Sequence, residues 1–106
     1  MTDCIFCKIV NKEIPSNLIY EDENYIAFND INPKMKTHIL IIPKKHIESF
    51  HIIKSSDDLK LAEWLFTVAY KIIKEKNLQW CRLQINCGKE HGQEVFHIHL
   101  HLMSNS

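Results

Sequence analysis

The sequence predicts an α+β domain: an antiparallel sheet with helical packing on one face. Several short runs alternate apolar with polar or histidine residues and end at Pro, Asn or Gly, the period-two signature of strands. One longer stretch repeats its apolar residues every three to four positions, the signature of a helix. Most connections are of hairpin length, which favours antiparallel neighbours over crossovers. With 106 residues, two Gly and three Pro, residues 1–106 form a single domain. A chain of this size buries roughly 60 to 70% of its unfolded surface.

"CIFCKIVNKEI" reads as a short helix that stops before Pro15. "NLIYEDENYIAFNDI" reads as two short strands joined by a polar turn at residues 22 to 24. "HILIIP" is an apolar, β-rich run ended by proline, hence a largely buried strand. "KKHIESFHIIK" reads as a loop. From residue 55 or 56 to about 77, Leu61, Leu65, Val68 and Ile72 recur at helical spacing with Trp64 beside them. Ser56 can cap this long helix, Asp57 and Asp58 suit its positive end, and Lys74 and Lys76 suit its negative end. Two further strands follow, "CRLQINC" and the histidine-bearing "HIHLHLM", separated by "GKEHGQ". The total is five strands, one short helix and one long helix. Cys81 and Cys87 share the parity of Leu83 and Ile85, would stand about 20 Å apart along their strand, and are expected to be buried as small apolar side chains.

Lys plus Arg and Asp plus Glu balance at 13 each, so no bulk charge draws the chain to nucleic acid or an anionic membrane. The first ten residues lack the segments of a secretory signal, and "ILII" is too short to span a bilayer. A cytoplasmic protein is expected, in which four cysteines serve as thiols or metal ligands rather than disulfides.

Two motifs carry chemistry. In residues 94 to 104, "EVFHIHLHLMS", His97, His99 and His101 alternate with Ile98, Leu100 and Leu102. On a strand the imidazoles share one face and the aliphatic residues turn to a core. The backbones of His97 and His101 would be roughly 13 Å apart, too far for all three rings to close on one ion, so the triple points to divided labour. The plainer alternative is a solvent face that happens to carry histidines. "CIFC" places Cys4 and Cys7 at zinc-knuckle spacing but supplies half of a tetrahedral site. A redox role would want a preceding strand and a βαβ context, which the N-terminal position lacks. Two reduced thiols on a helix remain the alternative.

"HIHLHLM" preceded by "GQEVF" resembles the histidine triad (HIT) family, specifically its Hint branch of nucleoside phosphoramidases. "CIFCKIV", "EIPS", "YEDE", "AFNDINP", "THILIIPKKHI", "RLQINCG" and "HGQEVFHIHLHL" resemble family segments in order, over nearly the whole chain. The resemblance implies a HIT-like fold and a hydrolase that cleaves the P–N bond of purine nucleoside 5′-phosphoramidates through a nucleotidyl-histidine. In that scheme His99 is the nucleophile, His101 hydrogen-bonds the phosphate oxygens as charge develops, and His97 supports the site. Asp30 takes the ribose hydroxyls, while Ile5, Phe6, Phe28 and Ile31 line the purine pocket. Asn86 and Gln93 make polar contacts near the phosphate and leaving group, and the Val95 backbone donates an N–H. Taken alone, Phe28 and Ile31 would fit a hairpin core, Asp30 a turn and Asn86 a strand end.

Glu94 stands where many members carry Ser or Thr. Beside an anionic phosphate it must point away or take up a proton, in which form it can donate to the leaving amine. Cys4, Cys7, His46 and His97 resemble the structural zinc site of some bacterial members; no organic cofactor is implied. Since only His97 belongs to both sets, removing zinc is expected to loosen the N-terminus more than it slows the chemistry. A homodimer is implied, built on the helix of Trp64 and the "CRLQINC" strand. The branch usually continues beyond "LMSNS" into a tail that reaches the partner subunit, so leaving-group choice stays open. The alternative activities are dinucleoside polyphosphate hydrolysis, a noncatalytic nucleotide sensor or adaptor, and a zinc module whose histidines are only ligands.

Overall fold

The chain folds around a five-stranded, wholly antiparallel sheet in the order β1-β2-β3-β5-β4. The computed structural model describes residues 3–106. The strands are β1 (Leu18–Glu21), β2 (Tyr25–Asn29), β3 (Thr37–Pro43), β4 (Arg82–Gln84) and β5 (Leu100–Ser104). The helices are α1 (Ile5–Val10) and α2 (Ser56–Glu75), and two 3₁₀ turns, Phe50–Ile52 and Lys89–His91, lie in the loops after β3 and β4. No described helix is long and apolar enough to cross a membrane.

Helices cover both faces, not one. Period two in β2 and β3 sends alternate residues to opposite sides. Ala27, Ile39 and Ile41 join Leu100 and Leu102 of β5 beneath Leu65, Val68 and Ile72 of α2. Ile26, Phe28, Leu40 and Ile42 point the other way and pack with Phe6 and Ile9 of α1. A six-residue helix holds no structure on its own, so α1 depends on this burial.

α1 ends at Val10, well before Pro15, because Lys12 takes a left-handed φ of 62° and closes the end. The amides of Lys12 and Glu13 reach back to the carbonyls of Ile9 and Lys8 at 3.1 and 2.8 Å. Asn77, φ 54°, ends α2 in the same way. The cap at the start of α2 is Ser55 rather than Ser56: the Ser55 hydroxyl accepts the Asp58 amide at 3.1 Å, and Ser56 is already helical.

The "CRLQINC" segment is paired only over Arg82–Gln84. As the outer strand it has no further sheet to cover it, so Cys81 is exposed and Cys87 half-buried, contrary to the burial expected of both. β5 likewise begins only at Leu100. β3 ends at Pro43, which has no amide to donate, and its carbonyl is taken by the His97 ring instead of by a backbone rung. The alternation survives without the ladder, since the Ile98 amide bonds the Ile47 carbonyl at 2.7 Å and Ile98 stays in the α2 core.

Candidate active site

The histidine face lies under α1 rather than in solvent, and α1 is what organises it. The edge of the Phe6 ring rests on His99, centroids 5.1 Å apart, and on Phe28 at 5.5 Å. Cys4 caps α1, its sulfur accepting the Cys7 amide at 3.4 Å, so both sulfurs sit at the helix start.

His97 is fully buried. Its Nε2–H donates to the Pro43 carbonyl at 2.8 Å, which leaves the lone pair on Nδ1. That nitrogen lies 3.4 Å from Cys4 Sγ and 3.6 Å from Cys7 Sγ, and His46 Nδ1 lies 3.3 Å from Cys7 Sγ. Sulfur and nitrogen ligands at ordinary zinc distances in a tetrahedron are about 3.6 Å apart. The four ligand atoms all fall within 4.8 Å of one another. Burial pushes His97 down to about 4, which keeps it in the neutral form that a metal requires. The Cys4, Cys7, His46 and His97 set therefore fits zinc by ligand type, spacing and tautomer.

His99 donates Nδ1–H to the His97 carbonyl at 2.8 Å, so its Nε2 carries the lone pair. Burial lowers its pKa, partly offset by that carbonyl and by the Asp30 carboxylate. His101 is set by a residue that the motif reading did not single out, His38. The Lys34 amide donates to His38 Nδ1 at 3.1 Å, which places the His38 proton on Nε2. His38 Nε2–H then donates to His101 Nδ1 at 2.9 Å, and the His101 proton is left on Nε2. Burial first, then the neighbouring His99 and His38, push His101 down to about 4. One nitrogen of the pair His99 and His101 thus presents a lone pair and the other a proton, with ring centroids 4.9 Å apart. Asp30, His38 and His101 also cluster closely enough for a metal, but these hydrogen bonds leave His38 no lone pair for one. The available signal for His38 was a histidine opening the apolar run "HILIIP".

Asp30 closes a turn, its Oδ1 accepting the Asn32 amide at 2.9 Å, while Oδ2 stands 3.5 Å from His38 Nε2. Phe6 and Phe28 are buried at the floor, Ile5 is exposed, and Ile31 is 89% exposed. Asn86 donates to the His91 carbonyl at 2.8 Å and accepts from Gln84 at 3.3 Å. Gln93 is buried and fully hydrogen-bonded within the protein. Glu94 and Val95 line an open cleft of about 440 Å³ together with Cys4, Ile5, His46 and Phe96, beside the cysteine cluster. The structure thus gathers the three histidines, Asp30, Phe6 and Phe28 at one place and puts Glu94 and Val95 on a neighbouring rim.

Residues 3–106 match the family described as "Scavenger mRNA decapping enzyme C-term binding". The chain is 42% identical to Protein HitA of Neisseria gonorrhoeae over 104 residues, 97% of this chain and 96% of that one. It is also 42% identical to an uncharacterised HIT-like protein of Methanocaldococcus jannaschii over 102 residues, 94% of this chain and 77% of that one. A histidine triad protein from Clostridium difficile superposes with a TM-score of 0.93 at 44% identity, covering 100% of this chain and 93% of its own. A HIT family hydrolase from Legionella pneumophila superposes with a TM-score of 0.92 at 42% identity, covering 98% and 94%.

Proposed function

The chain belongs to the histidine triad family, and from that premise we propose that it is a purine nucleoside phosphoramidase, cleaving the P–N bond of AMP- or GMP-amine conjugates. The observation that carries this reading is the bond from His99 Nδ1–H to the His97 carbonyl, which turns a neutral Nε2 lone pair to act as nucleophile. His99 Nε2 attacks the α-phosphorus as the P–N bond breaks, and the amine leaves with the electron pair and a proton from Glu94. His101 Nε2–H donates to a non-bridging oxygen as negative charge develops. Water then attacks phosphorus, the bond to His99 breaks, and the carboxylate of Glu94 recovers its proton.

Asp30 Oδ2 receives the ribose hydroxyls, Phe6, Phe28, Ile5 and Ile31 flank the base, and Asn86 and the Val95 peptide form the phosphate wall, with Gln93 as part of its support. Cys4, Cys7, His46 and His97 would hold zinc, which supplies a structural cross-link between the N-terminus and the triad; no step passes through it. We further propose a cytoplasmic homodimer. Exposed Trp64 and Tyr70 on α2, with Trp80 and Leu83 at the β4 edge, supply the apolar surface and the unpaired strand that such an interface takes up.

The test is release of AMP from adenosine 5′-phosphoramidate by wild type and by His99→Ala, with AMP binding measured on both. Turnover in the variant is expected to fall by at least ~10³-fold, as for loss of a nucleophile, with AMP binding retained. A wild type that binds AMP and turns nothing over would leave a nucleotide sensor. The description of the matching family names a decapping enzyme, which favours a phosphoanhydride as the second substrate class. A dinucleoside polyphosphate in the same assay separates the two.

A further inference from the structure

Residues 88–98 approach the site through a segment without strand pairing, and one side chain does the work of a ladder there. Gln93 and Ser49 are 2% and 1% exposed. Gln93 Nε2 donates to the carbonyls of Glu48 and Val95 at 2.9 and 3.1 Å, and because carbonyls can only accept, these two bonds fix which end of the amide is nitrogen. Its Oε1 accepts the Ser49 hydroxyl at 2.7 Å and the Gly88 amide at 2.9 Å. The Gln93 backbone amide also bonds the Gly88 carbonyl at 3.1 Å, so Gly88 is clamped from both sides. Since the Ser49 proton goes to Gln93, the 3.0 Å contact with His51 is a donation from His51 Nδ1–H to Ser49 Oγ.

Both glycines of the chain lie in this turn at φ 93°, and a Cβ on Gly92 would stand 3.1 Å from Asn86 Nδ2. A sequence that spends its only left-handed glycines and a saturated buried amide on one short turn is holding that turn to a single shape. The next residues along are Glu94 and Val95, on the rim of the cleft.

We propose that Gln93 is a positioning residue: gripped by Ser49 and Gly88, it fixes the Val95 peptide and the start of Glu94 for a nucleotide phosphate, and its own amide does not touch the substrate. The inference refines the phosphate wall of the proposed function, yet its readout is binding rather than turnover. Ser49 is buried and its hydroxyl donates to Gln93 Oε1, so in this proposal it acts on the phosphate through Gln93. Removing Ser49 therefore separates the two roles open to Gln93, as a direct contact or as a support.

The experiment compares affinities for adenosine and for AMP in wild type, Ser49→Ala, Gln93→Ala and the double variant, with hydrogen exchange of residues 94–98 and zinc content recorded. The preference for AMP over adenosine should fall at least tenfold in both single variants, with adenosine affinity within twofold and exchange at 94–98 accelerated. The double variant should be no worse than the worse single one. Retention of the wild-type preference by Ser49→Ala overturns the proposal, as does a parallel loss of affinity for both ligands. Gln93→Ala takes the donor from the Glu48 and Val95 carbonyls and the acceptor from the buried Ser49 hydroxyl, so if it does not fold, Ser49→Ala decides alone. A wild type without phosphoramidate turnover whose variants still lose the AMP preference sinks the phosphoramidase reading and upholds the positioning role.

Discussion

His99 and His97 are joined by one hydrogen bond, from the ring Nδ1–H of the first to the backbone carbonyl of the second at 2.8 Å. The residue whose side chain faces the two sulfurs therefore sets, with its backbone, the tautomer of the proposed nucleophile. Phe6 makes a second link: it lies between Cys4 and Cys7 in α1 and rests against the His99 ring. The metal-type cluster and the histidine pair share a backbone and a wall.

That double link refines what metal removal should do. A ligand present at 1,000 times its dissociation constant contributes roughly 4 kcal/mol, worth on the order of 15 °C or more in Tm for a domain this size. Chelation with verified zinc loss, or Cys4→Ala, is expected to lower Tm by that order and to free the α1 amides to exchange. Through Phe6, kcat should fall about tenfold as well, less than for loss of the nucleophile. Zinc-free protein with unchanged melting and exchange would remove the cluster's structural role.

His38 gives an independent test of the hydrogen-bond chain that sets His101. It bonds His101 and so holds that ring as an Nε2–H donor. His38→Ala is expected to lower kcat about 10²-fold, the scale of one lost transition-state donor, while zinc content and AMP binding stay near wild type. Full activity in this variant would mean that His101 needs no help to present its proton.

The order of elements, the turn at residues 22 to 24 and both long apolar elements were legible because they rest on local periodicity. The same holds for the face that the histidines share, since parity alone assigns Ile98, Leu100 and Leu102 to the core. What was not legible depends on which element lies over which. Nothing in "CIFCKIV" says that its helix lands on the histidine side, so the burial of His97 and His99 and the second helical layer appear only in the fold. Cys81 shows the reverse case: its parity matches a core strand, yet β4 is the sheet edge and its side is open. His38 was missed because its role is pairwise across two strands, with Leu40 opposite His101 in register and His38 beside it in space.

The start of α2 discriminates between two adjacent serines. Ser55 supplies the capping oxygen and Ser56 does not. Ser55→Ala should cost about 1 kcal/mol, or roughly 4–8 °C in Tm, whereas Ser56→Ala should stay within about 0.5 kcal/mol. Equal effects in the two variants, read by thermal melting, would contradict the assigned cap.

The histidines also set an acid limit that can be placed in pH. His101 is pushed down to about 4, chiefly by burial, and burial lowers His38 as well, so the folded pair is neutral. In the unfolded chain both titrate near the ordinary histidine value of about 6.5. Above that pH neither state binds protons at these rings and the full stability is present. Between about 6.5 and 4 the unfolded chain takes up protons that the folded chain refuses, so stability falls as pH falls. His101 is still partly open to water, which reduces the full linkage value to about 1–2 kcal/mol. Zinc-free protein isolates this effect from acid release of metal. Its Tm should decline steadily from pH 7 to 4.5, and the decline should be shallower in His101→Gln. An NMR titration of the His101 ring decides the cause directly: a midpoint below 5.5 agrees with a buried neutral pair, and a midpoint near 6.5 would show that burial does not hold the ring neutral.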